Sequence, residues 1–256
     1  MVSDIDRGPD VDIFEDLDAL SQAAARLFAR GTAESKTSKK DFSIALSGGS
    51  TPKSLYLLLG SGDYMRAIDW RRVHLFWADE RCVPPDHEQS NFKLASDTFI
   101  SRVPIPSENV HRIKGEKPAG QAAREYEDAL RQFFGESVIP AFDLILLGMG
   151  EDGHTASLFP GSPELAEEQR LAVAAVPGQP PEIDRVTLTL PVLNNARRIV
   201  FLVSGSAKAR VLQEILTGSG TKRNYPAGLV ETANGTLTWL VDKAAAARLP
   251  PHVSQV

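Results

Sequence analysis

The chain alternates short, almost wholly apolar runs with longer stretches in which apolar residues recur every three or four positions. "FSIAL" (42–46), "VHLFWAD" (73–79), "FDLILLGMG" (142–150), "LAVAAV", "RVTLTL", "RIVFLVS" and "LTWLV" have strand length. Most are too uniformly apolar to leave one face in water, as expected of strands buried on both sides of a sheet. Ile13, Phe14, Leu17, Leu20, Ala24, Leu27 and Phe28 fall at helical spacing, which predicts an amphipathic helix over 11–30, ended by "GTAESKTSKKD". Thr51-Pro52 reads as an N-cap followed by proline at the first helical position. Further helices are predicted near 91–101, from Pro118 to about Phe134, after Ser206 and over 242–248. Strands alternating with helices predict an α/β fold: a Rossmann-like single domain over 1–256, with a predominantly parallel open sheet and helices on both faces.

Composition narrows the setting. At 256 residues, 42% hydrophobic and 24% charged, the chain has the make-up of a globular protein. Its apolar runs fall far short of the roughly 20 residues a membrane-crossing helix needs, and the acidic start "MVSDIDRGPDVDIFEDLD" lacks the basic and apolar regions of a secretory signal. The single cysteine, Cys82, forms no intramolecular disulfide, which suits a reducing cytoplasm. A net charge of −5 argues against nucleic acid as a partner, since phosphate-backbone affinity needs clustered cations. A small anion needs only a local pocket. Oligomeric state is not legible.

In open parallel sheets ligands bind beyond the carboxyl ends of the strands, which gives the loops after Leu46, Ala78, Leu147 and Val203 a shared address. The first loop, Ser47-Gly48-Gly49-Ser50-Thr51, offers hydroxyls, permissive backbone and the positive end of the next helix, and suits either a phosphate or an ordinary turn. It matches neither a P-loop nor a full dinucleotide fingerprint, and no cofactor is expected. "ADER" sets Asp79, Glu80 and Arg81 at a strand end, where a guanidinium can bind an anion bidentately. In "SGSAKAR", Lys208 stands at a helix start, unfavourable for the helix dipole unless an anion is near. "LGMGEDGHTASLFPGSP" (147–163) places His154 beside Asp152, a pairing that suits a general base. Metal ligation by Glu151, Asp152 and His154 is the competing reading. The other histidines, His74, His87, His111 and His252, show no paired ligand spacing, and no metal is expected. There is no Gly-x-Ser-x-Gly elbow.

Four blocks carry a resemblance: "LSGGSTPKSLY", "VHLFWADERCVPPDHEQSNF", "FDLILLGMGEDGHTASLFPGSP" and "RVTLTLPVLNNARRIVFLVSGSAK". They are similar, in order and over most of 42–208, to the 6-phosphogluconolactonase family, within the superfamily it shares with the glucosamine-6-phosphate deaminases. The deaminases carry Asn-Glu before the proline of the histidine loop, whereas this chain reads Gly153-His154-Thr155-Ala156-Ser157-Leu158-Phe159-Pro160. The resemblance implies hydrolysis of a phosphosugar lactone. It implies that the Ser47–Thr51 loop and Lys208 bind the 6-phosphate and that Arg81 contacts the phosphate or the lactone end. His154 would be the general base, oriented by Asp152, and Arg185 a phosphate ligand by analogy with the deaminases. A deaminase or isomerase, with Asp79 abstracting a proton, is the alternative. A non-catalytic sugar-phosphate sensor is a further one, for which the mostly acidic first 40 or so residues leave little room for a helix-turn-helix.

Overall fold

In a computed structural model of the chain, Ile44 of one apolar run lies opposite Leu75 of the next and Leu144 of a third, all in parallel register. The structure describes residues 10–253 apart from 39, 137, 178–181, 219–221 and 233; residues 1–9, part of the acidic N-terminal segment, lie outside it. In chain order the elements are β1 (Asp10–Phe14), α1 (Leu17–Thr37), β2 (Phe42–Leu46), α2 (Ser50–Leu59), α3 (Gly62–Ala67), β3 (Val73–Trp77) and β4 (Asp79–Arg81). There follow α4 (Asn91–Thr98), α5 (Ala119–Phe134), β5 (Leu144–Gly148), β6 (Ala172–Ala175), β7 (Arg185–Leu188) and α6 (Leu190–Asn194). The chain then runs through β8 (Arg198–Val203), α7 (Ala209–Leu216), α8 (Pro226–Leu229) and β9 (Thr236–Asp242).

Six strands form a parallel sheet in the order β1-β9-β8-β5-β2-β3, flanked by helices. The apolar runs are its interior: every residue of β2 is buried, as is Ile199–Val203 of β8. The fold class is therefore the α/β, mainly parallel arrangement that the alternation of runs predicts.

Three local expectations change. Residues 11–14 are strand, because the alternation Asp10-Val11-Asp12 places Val11 in the core while β1 adds to β9 as an edge. The helix starts at Leu17, capped by the Asp16 carboxylate accepting from Ala19 N at 2.9 Å. It continues to Thr37, through Gly31, whose missing side chain gives room to the Phe42 ring: a Cβ there would stand 2.8 Å from Phe42 Cε2. Thr51 is not the N-cap of α2; that position belongs to Gly49, at φ 102°, with no side-chain cap. The end of the chain is β9 through Asp242 and then a 3-10 turn at Ala245–Arg248, rather than a helix over 242–248.

The largest difference bears on the site. β6 and β7 leave the parallel sheet and join β4 in a small antiparallel sheet ordered β4-β7-β6. The strand that begins as "VHLFWAD" breaks at Ala78, and its second half pairs with β7 so that Asp79 faces Thr187 and Arg81 faces Arg185.

Candidate active site

The carboxyl ends of β8, β5, β2 and β3 are consecutive in the sheet, and the loops that leave them line one pocket. Ser47, Gly48, Gly49, Ser50 and Thr51 come from the first loop, Asp79, Arg81 and Asn91 from the β4 region, His154 and Ala156 from the loop after β5. Arg185 enters from β7 and Lys208 from the turn before α7. Of the residues singled out in the sequence on these loops, Glu80, Glu151 and Asp152 are not in the lining; Asp152 stands immediately behind His154.

The glycine loop is shaped for close approach. Gly49 takes a positive φ, and a Cβ on Gly48 would overlap the Asn91 carboxamide. With no side chain capping α2, the first N–H groups of that helix are left for an anion. The Ser47 hydroxyl is committed elsewhere: it donates to Leu146 O at 2.8 Å, while Ser47 O accepts from Tyr56 Oη at 2.6 Å. Ser47 thus ties the loop to β5, leaving Ser50 and Thr51 as the hydroxyls not engaged in this way.

The cations are under-paired. Arg81 Nη1 donates to Gln89 O at 2.7 Å, but its Nε, like Arg185 Nε, is buried with no partner among the described residues. Arg185 lies opposite Arg81, packs over the Phe159 ring at 5.6 Å, and comes no closer than 4.0 Å to Asp79 Oδ2. Burial lowers the pKa of Arg185, with Arg81 adding to the effect and Asp79 opposing it. Lys208 is half-buried, and its ammonium forms no hydrogen bond or ion pair among the described residues. Burial lowers its pKa against the pull of Glu151 and Asp242. Like charges directly opposite one another on an antiparallel pair repel, and a negatively charged ligand between them would relieve that repulsion.

The loop after β5 folds into a tight turn around His154. Gly150 N donates to His154 O at 2.9 Å and Gly153 N to Gly150 O at 3.1 Å, with Gly153 at φ 80°. This closes a turn in which His154 Nδ1 is 2.6 Å from Asp152 Oδ1, and the same oxygen accepts from His154 N at 3.1 Å. A Cβ on Gly150 would overlap the imidazole, so glycine is needed there too. Burial works to raise the Asp152 carboxyl, but hydrogen bonds and charge from His154 outweigh it and hold the group below its ordinary range. An ionised carboxylate only accepts, which places the proton on Nδ1 and leaves the Nε2 lone pair free to take one. Phe159 flanks the ring at 5.0 Å between centroids. Among the described residues no cluster of three or more His, Cys, Asp or Glu side chains is arranged to hold a metal ion.

Asn91, Ala156, Ser157 and Phe159 were not singled out in the sequence. Only Ser90-Asn91, a capping pair opening α4, carried a signal, and it signalled a helix start rather than a pocket.

A parallel α/β sheet with a cation-lined pocket and a carboxylate-held histidine at its strand ends defines the class. The model of the family described as glucosamine-6-phosphate isomerases/6-phosphogluconolactonase matches residues 15–239, and the chain belongs to that family. Among its members, the 6-phosphogluconolactonase of Synechocystis sp. is 39% identical over 247 residues, covering 95% of this chain and 99% of that one. The 6-phosphogluconolactonase of Haemophilus influenzae is 40% identical over 204 residues, 79% of this chain and 85% of that one. The structure of 6-phosphogluconolactonase from Trypanosoma cruzi superposes with a TM-score of 0.85 at 32% identity, covering 94% of this chain and 97% of that one.

Proposed function

We infer that this pocket hydrolyses 6-phospho-D-glucono-1,5-lactone to 6-phospho-D-gluconate, the second step of the oxidative pentose phosphate pathway. The observation that carries the reading is the placement of a carboxylate-held histidine in a pocket with three under-paired cations, Arg81, Arg185 and Lys208. The chain is a carboxylic ester hydrolase of the 6-phosphogluconolactonase type, as its relatives are named.

The open N-terminus of α2, with Gly48, Gly49, Ser50 and Thr51, and the Lys208 ammonium hold the 6-phosphate. Arg81 and Arg185 face the lactone end, where negative charge grows on the C1 oxygen. His154 Nε2 takes a proton from water as the water oxygen bonds to C1. The tetrahedral adduct then expels the ring oxygen, which receives the proton back from the imidazolium. One water is consumed, the C1–O5 bond breaks, and the product is a carboxylic acid with a free hydroxyl, the acid then releasing its proton to solvent as the carboxylate. Asp152 stabilises the imidazolium that forms in between and fixes the ring. A lactone carbonyl is electrophilic enough for a positioned base and charge-stabilising donors to suffice, and no metal enters.

The deaminase or isomerase reading needs Asp79 free to take a proton from carbon, and its oxygens instead accept from Ser157 and Asn91. The acidic net charge and lone cysteine support a cytoplasmic enzyme whose partner is this small phosphosugar rather than nucleic acid. Measuring lactone hydrolysis beside ammonia release from glucosamine 6-phosphate, each with and without EDTA, tests the reading. Hydrolysis alone, unaffected by chelator, is expected; ammonia release without hydrolysis would overturn it.

A further inference from the structure

A pocket that collects anions has a reason to exclude carboxylates, yet Asp79 lines it, 4% exposed. Its surroundings account for it. Oδ2 accepts from Ser157 Oγ at 2.6 Å, Oδ1 accepts from Asn91 Nδ2 at 3.3 Å, and Arg185 Nη1 stands 4.0 Å from Oδ2. Each partner belongs to a different wall. Ser157 closes the turn that follows His154, in which Thr155 and Leu158 exchange backbone hydrogen bonds and Ala156 is forced to φ 48°. Such a conformation persists only where its surroundings hold it, and Ser157 N donating to Thr187 Oγ1 at 3.2 Å adds a second hold. Asn91, which also donates to Asp79 O at 2.9 Å, fills the space left by the missing side chain of Gly48 in the phosphate loop. Arg185 comes from the second sheet.

We propose that Asp79 is a positioning residue that locks the histidine turn, the glycine loop and Arg185 into one arrangement, acting on the reaction through His154 rather than through substrate. This rests on the lactonase reading given above. Both of its oxygens are occupied by protein donors, and its charge would repel a bound phosphate. With the Asp79–Ser157 bond gone, the turn is free to relax, and His154 loses its placement relative to a substrate still held by the phosphate loop.

The test uses the full chain with Ser157→Ala, Asn91→Ala, Asp79→Asn and the Asp79→Asn/Ser157→Ala double variant. Steady-state rates with the phosphorylated lactone, the inhibition constant of 6-phosphogluconate and the imidazole ¹H–¹⁵N NMR signals of His154 are measured. Ser157→Ala is expected to lower kcat about 10- to 100-fold, the cost of misplacing a base by about an ångström, with KM and the inhibition constant nearly unchanged and the His154 signals moved. The double variant is expected to be no worse than Asp79→Asn, because both remove one interaction. A Ser157→Ala enzyme with wild-type kcat and unmoved His154 signals, or losses that multiply in the double variant, overturns the proposal. If Asp79→Asn does not fold, the cycle runs between Ser157→Ala and Asn91→Ala. A wild-type chain that leaves the lactone intact defeats the functional reading, and the NMR comparison still decides the positioning role.

Discussion

Arg185 lies directly opposite Arg81 across the antiparallel pairing of β4 and β7. Like charges in that relation repel, and Asp79 at 4.0 Å is the nearest relief, so an anionic ligand should stabilise the fold beyond what its contact area suggests. At 100 times its Kd, 6-phosphogluconate contributes about 2.7 kcal/mol, which for a chain of this size raises Tm by roughly 5–10 °C. Arg185→Met should cut that rise at the same concentration by at least half. An equal rise in both proteins, read by differential scanning fluorimetry, counts against the paired arginines as the ligand's seat.

The Lys208 ammonium makes no hydrogen bond or ion pair among the described residues, and the residue is half-buried. A charge-assisted contact formed there with the phosphate is worth about 1.5–3 kcal/mol. Lys208→Ala is therefore expected to raise KM about 10- to 100-fold, with kcat changed much less. Steady-state kinetics showing an unchanged KM would move the phosphate to another part of the pocket.

Acid should weaken the fold through a histidine pair far from the reaction. His74 Nδ1 and His111 Nε2 are 3.1 Å apart, with His111 stacked on Phe76 and Phe133 tilted against both rings. Burial, and then His74, bring His111 down to about 4, and burial lowers His74 against the opposing charge of Asp41, itself 3.4 Å from Arg72. Both rings stay neutral in the folded state where the unfolded chain already binds protons. Their contribution is thus complete above the unfolded value, about 6.5, and is lost as pH falls towards 4. Tm should decline across that window, and His111→Gln should flatten the decline. A decline of equal slope in the variant would remove the pair as its cause.

The parallel sheet was legible because β2, β5 and β8 are buried on both faces and their runs contain little but apolar residues. The His154–Asp152 pair was legible for a different reason: two residues within one glycine turn are neighbours whatever the rest of the fold does. What depended on long-range pairing was not. β4 has three residues, and nothing local shows that it leaves the line of β3 to meet β7, which is what sets Arg81 beside Arg185. The His74–His111 contact forms because His111 N donates to Leu75 O on the sheet edge, a registration that histidine spacing does not encode. Ile13 and Phe14 fit both a helical and a strand period, and the free edge of β9 decided between them.

In the proposed reaction His154 is the base that activates water for attack on a phosphorylated lactone. Its most direct test is the pH dependence of enzymatic 6-phospho-D-glucono-1,5-lactone hydrolysis by the wild type and by His154→Asn, corrected for spontaneous ring opening. The wild type should lose activity as pH falls and the imidazole becomes protonated. His154→Asn should lose about 10²–10⁴-fold in kcat, bind 6-phosphogluconate as before, and show no such limb. A His154→Asn enzyme that keeps wild-type kcat and the same acid limb would contradict it.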